Sequence, residues 1–230
     1  MKLIKQITIA VTSYLIATTP VQAFTVTIED AKIQSKPITD ELFVVDFNDI
    51  TIDSTDSFSR VDGINSSTYN YGGDLKIRET NVYGGADNSY YIEPAYNTPT
   101  AFNIKTDQKQ KYFGFWWSAG DGSNVITFLN NGEVVKTFNT QDVTDTLSGL
   151  SNGTDYYCNP TPLFSDEICT EPYAFINFFF EGTEAYDQII IESTADVSNF
   201  ESDNHTFSMT QQTITGEIVV SNPPAVVFAD

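Results

Sequence analysis

Near the end of the chain, the stretch FESDNHTF places Glu201, Asp203 and His205 at alternate positions. On a strand, alternate residues share one face. Two carboxylates beside an imidazole are the materials of a hard-cation site or of an acid–base pair. A second oxygen-rich group lies early in the chain, where DFNDI offers Asp46, Asn48 and Asp49. Hard cations take several oxygen ligands from carboxylates and amides. The first and last strands of a β-sandwich are often neighbours, so Asp46, Asp49, Glu201, Asp203 and Asn204 are the expected ligand set of one calcium ion. The spacing is not that of an EF-hand loop. The competing reading is a solvated edge strand, since a chain with 31 acidic residues forms acidic clusters by chance.

Catalysis has thinner support. There is no GxSxG, and His205 has no Ser or Cys partner signalled by the sequence. A glycosidase needs two carboxyl groups at a defined separation. Glu201 with Asp203 is the least arbitrary pair. The expectation is a chain without catalytic residues.

The stretch KYFGFWWSAGDGSNVITFLNNGEVVKTF, Lys111 to Phe138, gathers seven aromatic residues. On a strand, Phe113, Phe115 and Trp117 point one way and form a natural core face. Tyr112 and Trp116 point the other way, with Gly114 between them. Two rings flanking a glycine gap make a platform on which sugar rings stack. Asp121 and Asn124, just beyond, supply amide and carboxylate hydrogen bonds. The expected ligand-binding residues are therefore Tyr112, Trp116, Asp121 and Asn124. The alternative is that a loop, or the excursion between Cys158 and Cys169, covers this face and the rings are packing groups.

The elements that must position these residues are strands. Short runs rich in Val, Ile, Thr, Phe and Tyr alternate with Gly, Asn, Asp and Pro, and no helical period is sustained. Expected strands are Phe24–Ile28, Leu42–Phe47, Asp74–Arg78, Tyr90–Ile92, Thr100–Thr106, Tyr112–Ser118, Val125–Leu129, Glu133–Phe138, Tyr173–Glu181, Gln188–Ser193, Phe200–Met209 and Gly216–Val220. Asn130-Asn131-Gly132 is a hairpin signal. Gln141–Ser148 reads as a short helix or turn. In YAFINFFFEG both faces are apolar, so that strand is expected to be central and covered. The fold class is an all-β, two-sheet antiparallel β-sandwich, jelly-roll-like, in one domain over residues 24–209. Residues 210–230 hold a final strand and a tail.

The first 23 residues read as a secretory signal: Lys2 and Lys5, a short apolar run from Ile7 to Ala17, then Val21-Gln22-Ala23 before the cleavage point. The run is shorter than a membrane span of ~20 residues. The mature chain then carries nine basic against 31 acidic residues. Such a surface repels nucleic acid and anionic lipid and favours cations. Cys158 and Cys169 both lie in the exported part, and an oxidising compartment makes them a disulfide. The expected location is extracellular or at the cell surface, without stable membrane insertion.

Several features fall in one order: VVDFND, a Gly- and Asn-rich middle, YFGFWWSAGDGSNVITFLNNGEVV, a Phe-rich strand, YDQIIIES and NFESDNHTF. Over roughly Leu42–Phe207 the chain resembles the secreted β-sandwich domains of exosortase-sorted (PEP-CTERM-type) bacterial surface proteins. Their YFGLxWGSxDxxNxLxFY segment is matched at Tyr112, Phe113, Gly114, Trp117, Ser118, Asp121, Asn124 and Phe128. Their FExDN segment is matched at Phe200, Glu201, Asp203 and Asn204. The resemblance implies a place at cell surfaces or in exopolysaccharide matrices, and it implies no catalytic residues. Such proteins end in a Pro-containing motif, a hydrophobic helix and a basic cluster. Here VSNPPAVVFA matches only the start of that tail, and two expectations stand: a freely secreted form lacking the anchor, or a chain truncated before it. The expected function is non-enzymatic binding of extracellular polysaccharide or matrix. A purely structural or adhesive surface protein is the second reading, and a jelly-roll glycosidase or polysaccharide lyase the third.

Overall fold

A computed structural model describes residues 24–36, 41–53, 57–95, 100–195 and 199–222. The expected signal segment and most of the C-terminal tail lie outside the described residues. Two antiparallel sheets pack face to face. The first contains β1 (Phe24–Ile28), β2 (Phe43–Val45), β5 (Leu75–Arg78), β6 (Tyr91–Pro94), β8 (Tyr112–Ser118), β11 (Ala174–Phe180), β13 (Glu201–Ser208) and β14 (Glu217–Asn222). Its order is β14-β1-β11-β8-β13-β6-β5, with β2 also on β13. The second contains β3 (Phe58–Asp62), β4 (Ser67–Gly73), β7 (Thr100–Gln110), β9 (Asn124–Asn130), β10 (Glu133–Asn139) and β12 (Tyr186–Ser193), in the order β10-β9-β12-β7-β4-β3. This is the two-sheet sandwich expected from the alternating runs.

Alternation explains the core. Phe113, Phe115 and Trp117 of β8 and Ala174, Ile176, Phe178 and Phe180 of β11 face the second sheet, where Phe102, Ile104, Ile126, Phe128, Ile189 and Ile191 meet them. Strand β11 lies between β1 and β8 and is buried along its whole length, as a strand apolar on both faces must be. Asn130 pairs with Glu133 across Asn131 and Gly132, both at positive φ, the geometry that a two-residue hairpin requires. Gln141–Gly149 forms a short helix, α1, which buries Val143 and Leu147.

The β3–β4 hairpin is absent from the sequence reading. Its segment, SFSRVDGINSSTYNYGG, is polar and glycine-bearing, and Tyr69 and Tyr71, with the half-buried Phe58 stacked on Tyr71, mark its inward face. Asp62 makes the turn by accepting from the N–H groups of Ile64 and Asn65 at 2.9 and 3.2 Å.

The outer face of the first sheet is covered, not wet. Ala86, Trp116, Ala119, Tyr173 and Phe175 form a second, smaller core there, with Ile168 against it. Two loops make the cover: residues 79–90, and the excursion closed by the Cys158–Cys169 disulfide. They are bonded to each other. Asn159 Nδ2 donates to the carbonyl of Val82 at 3.1 Å, Thr161 Oγ1 to that of Gly85 at 3.2 Å, and Tyr173 Oη to that of Val82 at 2.9 Å. Chain entropy puts the contribution of so short a disulfide loop at about 3 kcal/mol. Reduction is therefore expected to lower the thermal midpoint while the strands persist. Calorimetry with and without a thiol reductant checks this, and an unchanged midpoint counts against it.

Candidate functional site

The aromatic platform expected at Tyr112 and Trp116 is not exposed; each is 1 % accessible. The side-chain phase on β8 is as expected, but the covering loops remove the face from water. Trp116 packs on Tyr173 and Phe175. The ring of Tyr112 folds back over Gly114, and its hydroxyl donates to Asn177 Oδ1 at 2.7 Å. A Cβ at position 114 would lie 2.8 Å from Phe175 Cε1 and nearer still to the Tyr112 hydroxyl. The glycine gap thus accommodates tyrosine, not a ligand. Asn124 is also buried. It accepts from Trp117 Nε1 at 2.9 Å and donates through Nδ2 to the Asn199 carbonyl at 2.9 Å. It positions the start of β13 and does not face a ligand.

Of the five residues expected to gather round calcium, Asp46 comes near enough to Asp203 to raise its carboxyl, but the set forms no tight ligand group among the described residues. Strands β2 and β13 are neighbours as expected, pairing Val45 with His205. Asp46 and Asp49 are nevertheless exposed, and Asp49 pairs with Arg60. Asp203 is buried and already accepts from the Ala86 N–H at 2.9 Å, the Asn204 N–H at 2.6 Å and the Ser89 hydroxyl. Burial still pushes its carboxyl up to about 8, against the pull of those donors. Asn204 Nδ2 donates to the Gln34 carbonyl at 2.9 Å. Among the described residues no three His, Cys, Asp or Glu side chains are grouped to hold a metal ion.

His205 leaves the face of Glu201 and Asp203. The register against β8 shifts between Asp203 and Thr206, and Asn204 takes a φ of 50°. This β-bulge inserts one residue and reverses the phase. Asp203 stays outward, opposite Trp116, while His205 turns into the core against Phe47 and Phe113. There its Nδ1 lies 3.1 Å from the Tyr71 hydroxyl and its Nε2 3.0 Å from Ser202 Oγ. A Ser–His contact exists after all, but both residues are 0 % exposed, so no substrate reaches it.

The structure does open a cavity of about 700 Å³ beside this covered face. Strands β5 and β6 supply Arg78, Tyr91 and Glu93, whose outward phase follows from the inward Ile77 and Ile92. The loop after β5 adds Asn81 and Tyr83. Ala119 and Asp121 enter from the β8–β9 turn, Glu171 from the end of the disulfide excursion, and Asn199 and Glu201 from the start of β13. Of the sequence-chosen residues, Asp121 and Glu201 therefore share one site, without Tyr112, Trp116 or Asn124.

The wall is tightly bonded. Glu93 accepts from Arg78 Nε and from Asn199 Nδ2, each at 2.7 Å, and Arg78 also pairs with Asp53. Asn81 Nδ2 donates to the Tyr91 hydroxyl at 2.8 Å, and Asn81 Oδ1 accepts from the Tyr83 N–H at 2.8 Å. Tyr83 stands on the rim, 48 % exposed. Burial, reinforced by the Glu93, Glu171 and Asp121 carboxylates, raises the Glu201 carboxyl well above its ordinary range. Burial, with Asp121 nearby, also raises Glu171, and burial raises Glu93 against the opposing pull of Arg78. The sequence reading missed the contribution of β5 and β6. Its available signal was the alternation of Lys76 and Arg78, and of Tyr91 and Glu93, with inward apolar residues.

No protein-family model matches the chain, and no curated protein matches it in sequence. Among solved structures, the fold is similar to the K2 cleaved adhesin domain of Lys-gingipain (Kgp), with a TM-score of 0.40 and 11 % identity over 73 % of this chain and 99 % of that one. It is also similar to a family 29 carbohydrate binding module from Piromyces equi, with a TM-score of 0.36 and 11 % identity over 74 % of this chain and 90 % of that one. These likenesses concern the fold. No helix of the described residues is long and apolar enough to cross a membrane.

Proposed function

We propose that this chain is an extracellular, non-enzymatic saccharide-binding protein of the bacterial surface or matrix, and that its ligand sits in the basin between Tyr83 and Glu201. The observation that carries the reading is the wall itself. Tyrosine rings, side-chain amides and carboxyls line one roomy cavity, and these are the groups that stack on and hydrogen-bond to a hydroxyl-rich ligand. The disulfide suits an oxidising compartment. The signal-like leader and the resemblance to exosortase-sorted surface proteins point to the same location. Binding of the purified protein to a polysaccharide array, with calcium and again with chelator, tests the reading. Tyr83→Ala is expected to lower apparent affinity about tenfold, the loss of one good stacking contact. A folded protein that retains no saccharide counts against the proposal. Loss of binding in chelator would show that a cation such as calcium takes part.

One observation favours a second reading. Glu201 is a buried carboxyl held toward its protonated form, among other acids, in a cleft, which is how a glycoside hydrolase prepares its general acid. Release of reducing ends from a bound polymer, abolished in Glu201→Gln with binding retained, would establish that reading.

A further inference from the structure

Glu201 faces the basin without a countercharge. It is 8 % exposed and its carboxyl accepts from its own backbone N–H, but among the described residues no side chain donates to it and no cation pairs with it. Its cross-strand neighbour Ser118 also keeps a buried Oγ with no hydrogen-bond partner, although Ser118 does not line the cavity. Such an arrangement is costly unless something supplies the missing contacts. Arg78 does not, because its Nε is held by Glu93 and its Nη1 by Asp53. A bare metal ion fits poorly, since the acids are spread round a cavity of about 700 Å³ and no three acidic, His or Cys side chains among the described residues group tightly enough to hold one.

We propose that the basin selects a ligand bearing a positively charged nitrogen, namely the free primary ammonium of a de-N-acetylated amino sugar. The inference rests on the saccharide reading and narrows it. An ammonium donates three N–H groups, enough for the Glu201 carboxyl, for the half-buried Glu171 and for a hydroxyl of the wall. The exposed ring of Tyr83 adds a face for the cation or for the sugar. Seating the charge favours the ionised form of Glu201, so proton release accompanies binding wherever the empty site keeps that carboxyl protonated. The groups that bear on this are Glu93, Glu171 and Asp121, which oppose ionisation, Arg78, which is already paired, and Tyr91 and Tyr173, which burial keeps neutral.

Titration calorimetry of the whole protein tests this with four probes: a glucosamine tetramer, its N-acetylated counterpart, a neutral glucose tetramer and spermidine. The glucosamine tetramer is expected to bind about tenfold or more tighter than the N-acetylated form, as a charge-assisted hydrogen bond warrants. Comparison of two buffers of different ionisation enthalpy is expected to show proton release. Glu201→Gln, and separately the more exposed Glu171→Gln, should each shrink the preference. If both tetramers bind equally, the inference falls and the saccharide reading stands. If spermidine binds as tightly as glucosamine while neutral sugars do not bind, cation selection stands and the saccharide reading falls. If none of the four binds a folded protein, both fall.

Discussion

Trp116→Ala lowers the free energy of unfolding by about 3–5 kcal/mol and leaves ligand binding by the folded fraction intact. The expectation follows from where the ring lies. It is 1 % exposed, inside the small outer core with Tyr173, Phe175 and Ala119. Truncation would leave a cavity that the strands cannot close, because β8 is hydrogen-bonded on one side to β11 and on the other to β13. The covering loops, tied through Asn159 and Tyr173, hold the roof in place above it. Denaturant unfolding of wild type and variant gives the stability difference from the shift in midpoint at unchanged slope. A loss below about 1 kcal/mol would show the ring to be less enclosed than the loops imply. Abolished binding by protein that is still folded would return Trp116 to the ligand site.

Acid is expected to weaken the protein through His205. Burial holds its imidazole at about 3, against 6.5 for an open chain. The unfolded chain therefore takes up the proton first as pH falls. The stability contributed by the neutral ring is fully present above pH 6.5 and is lost as the pH drops toward 3. The slope is about 1.4 kcal/mol per pH unit, and the whole effect is on the order of 5 kcal/mol. Asp203 and Glu201 work in the opposite sense. Their folded values are raised, so their contribution is present at low pH and fades as pH rises. His205→Gln separates the two, because glutamine keeps a donor and an acceptor for Tyr71 and Ser202 but does not titrate. The stability difference between wild type and variant should climb with that slope between about pH 3 and 6.5 and be flat above it. A difference independent of pH would mean that the ring is charged in the folded protein.

Much of the sandwich was legible because its cause is local. The inward phase of Phe113, Phe115 and Trp117, the two apolar faces of β11 and the Asn131-Gly132 turn each follow from a few adjacent residues. The β3–β4 hairpin escaped because its strands carry serine, asparagine and glycine where apolar residues would have announced them. The site was legible only in part, for two physical reasons. Alternation tells which residues share a face but not whether a loop covers that face, so Tyr112 and Trp116 read as a platform. The basin, moreover, is assembled by pairing between distant segments. Arg78 meets Glu93, and Asn199 meets both Glu93 and Asn124, through contacts that no spacing in the chain records. Asp121 and Glu201 were reached from the sequence because one sits in the turn after a recognisable strand and the other at the start of one.

The inserted residue at Asn204 gives β13 a division of labour. Before it, Glu201 and Asp203 turn to the cavity and the outer loops while Ser202 turns inward; after it, His205 and Phe207 take the inward places and Thr206 the outward one. A substitution at Glu201 therefore acts on the outer side of the strand and one at His205 on the inner side, and the two sides meet at Ser202, which bonds His205. Deleting Asn204 would leave every other side chain of the strand on its present face and would remove the bulge and the bond to the Gln34 carbonyl, so the extra residue serves the outer loops and not the core.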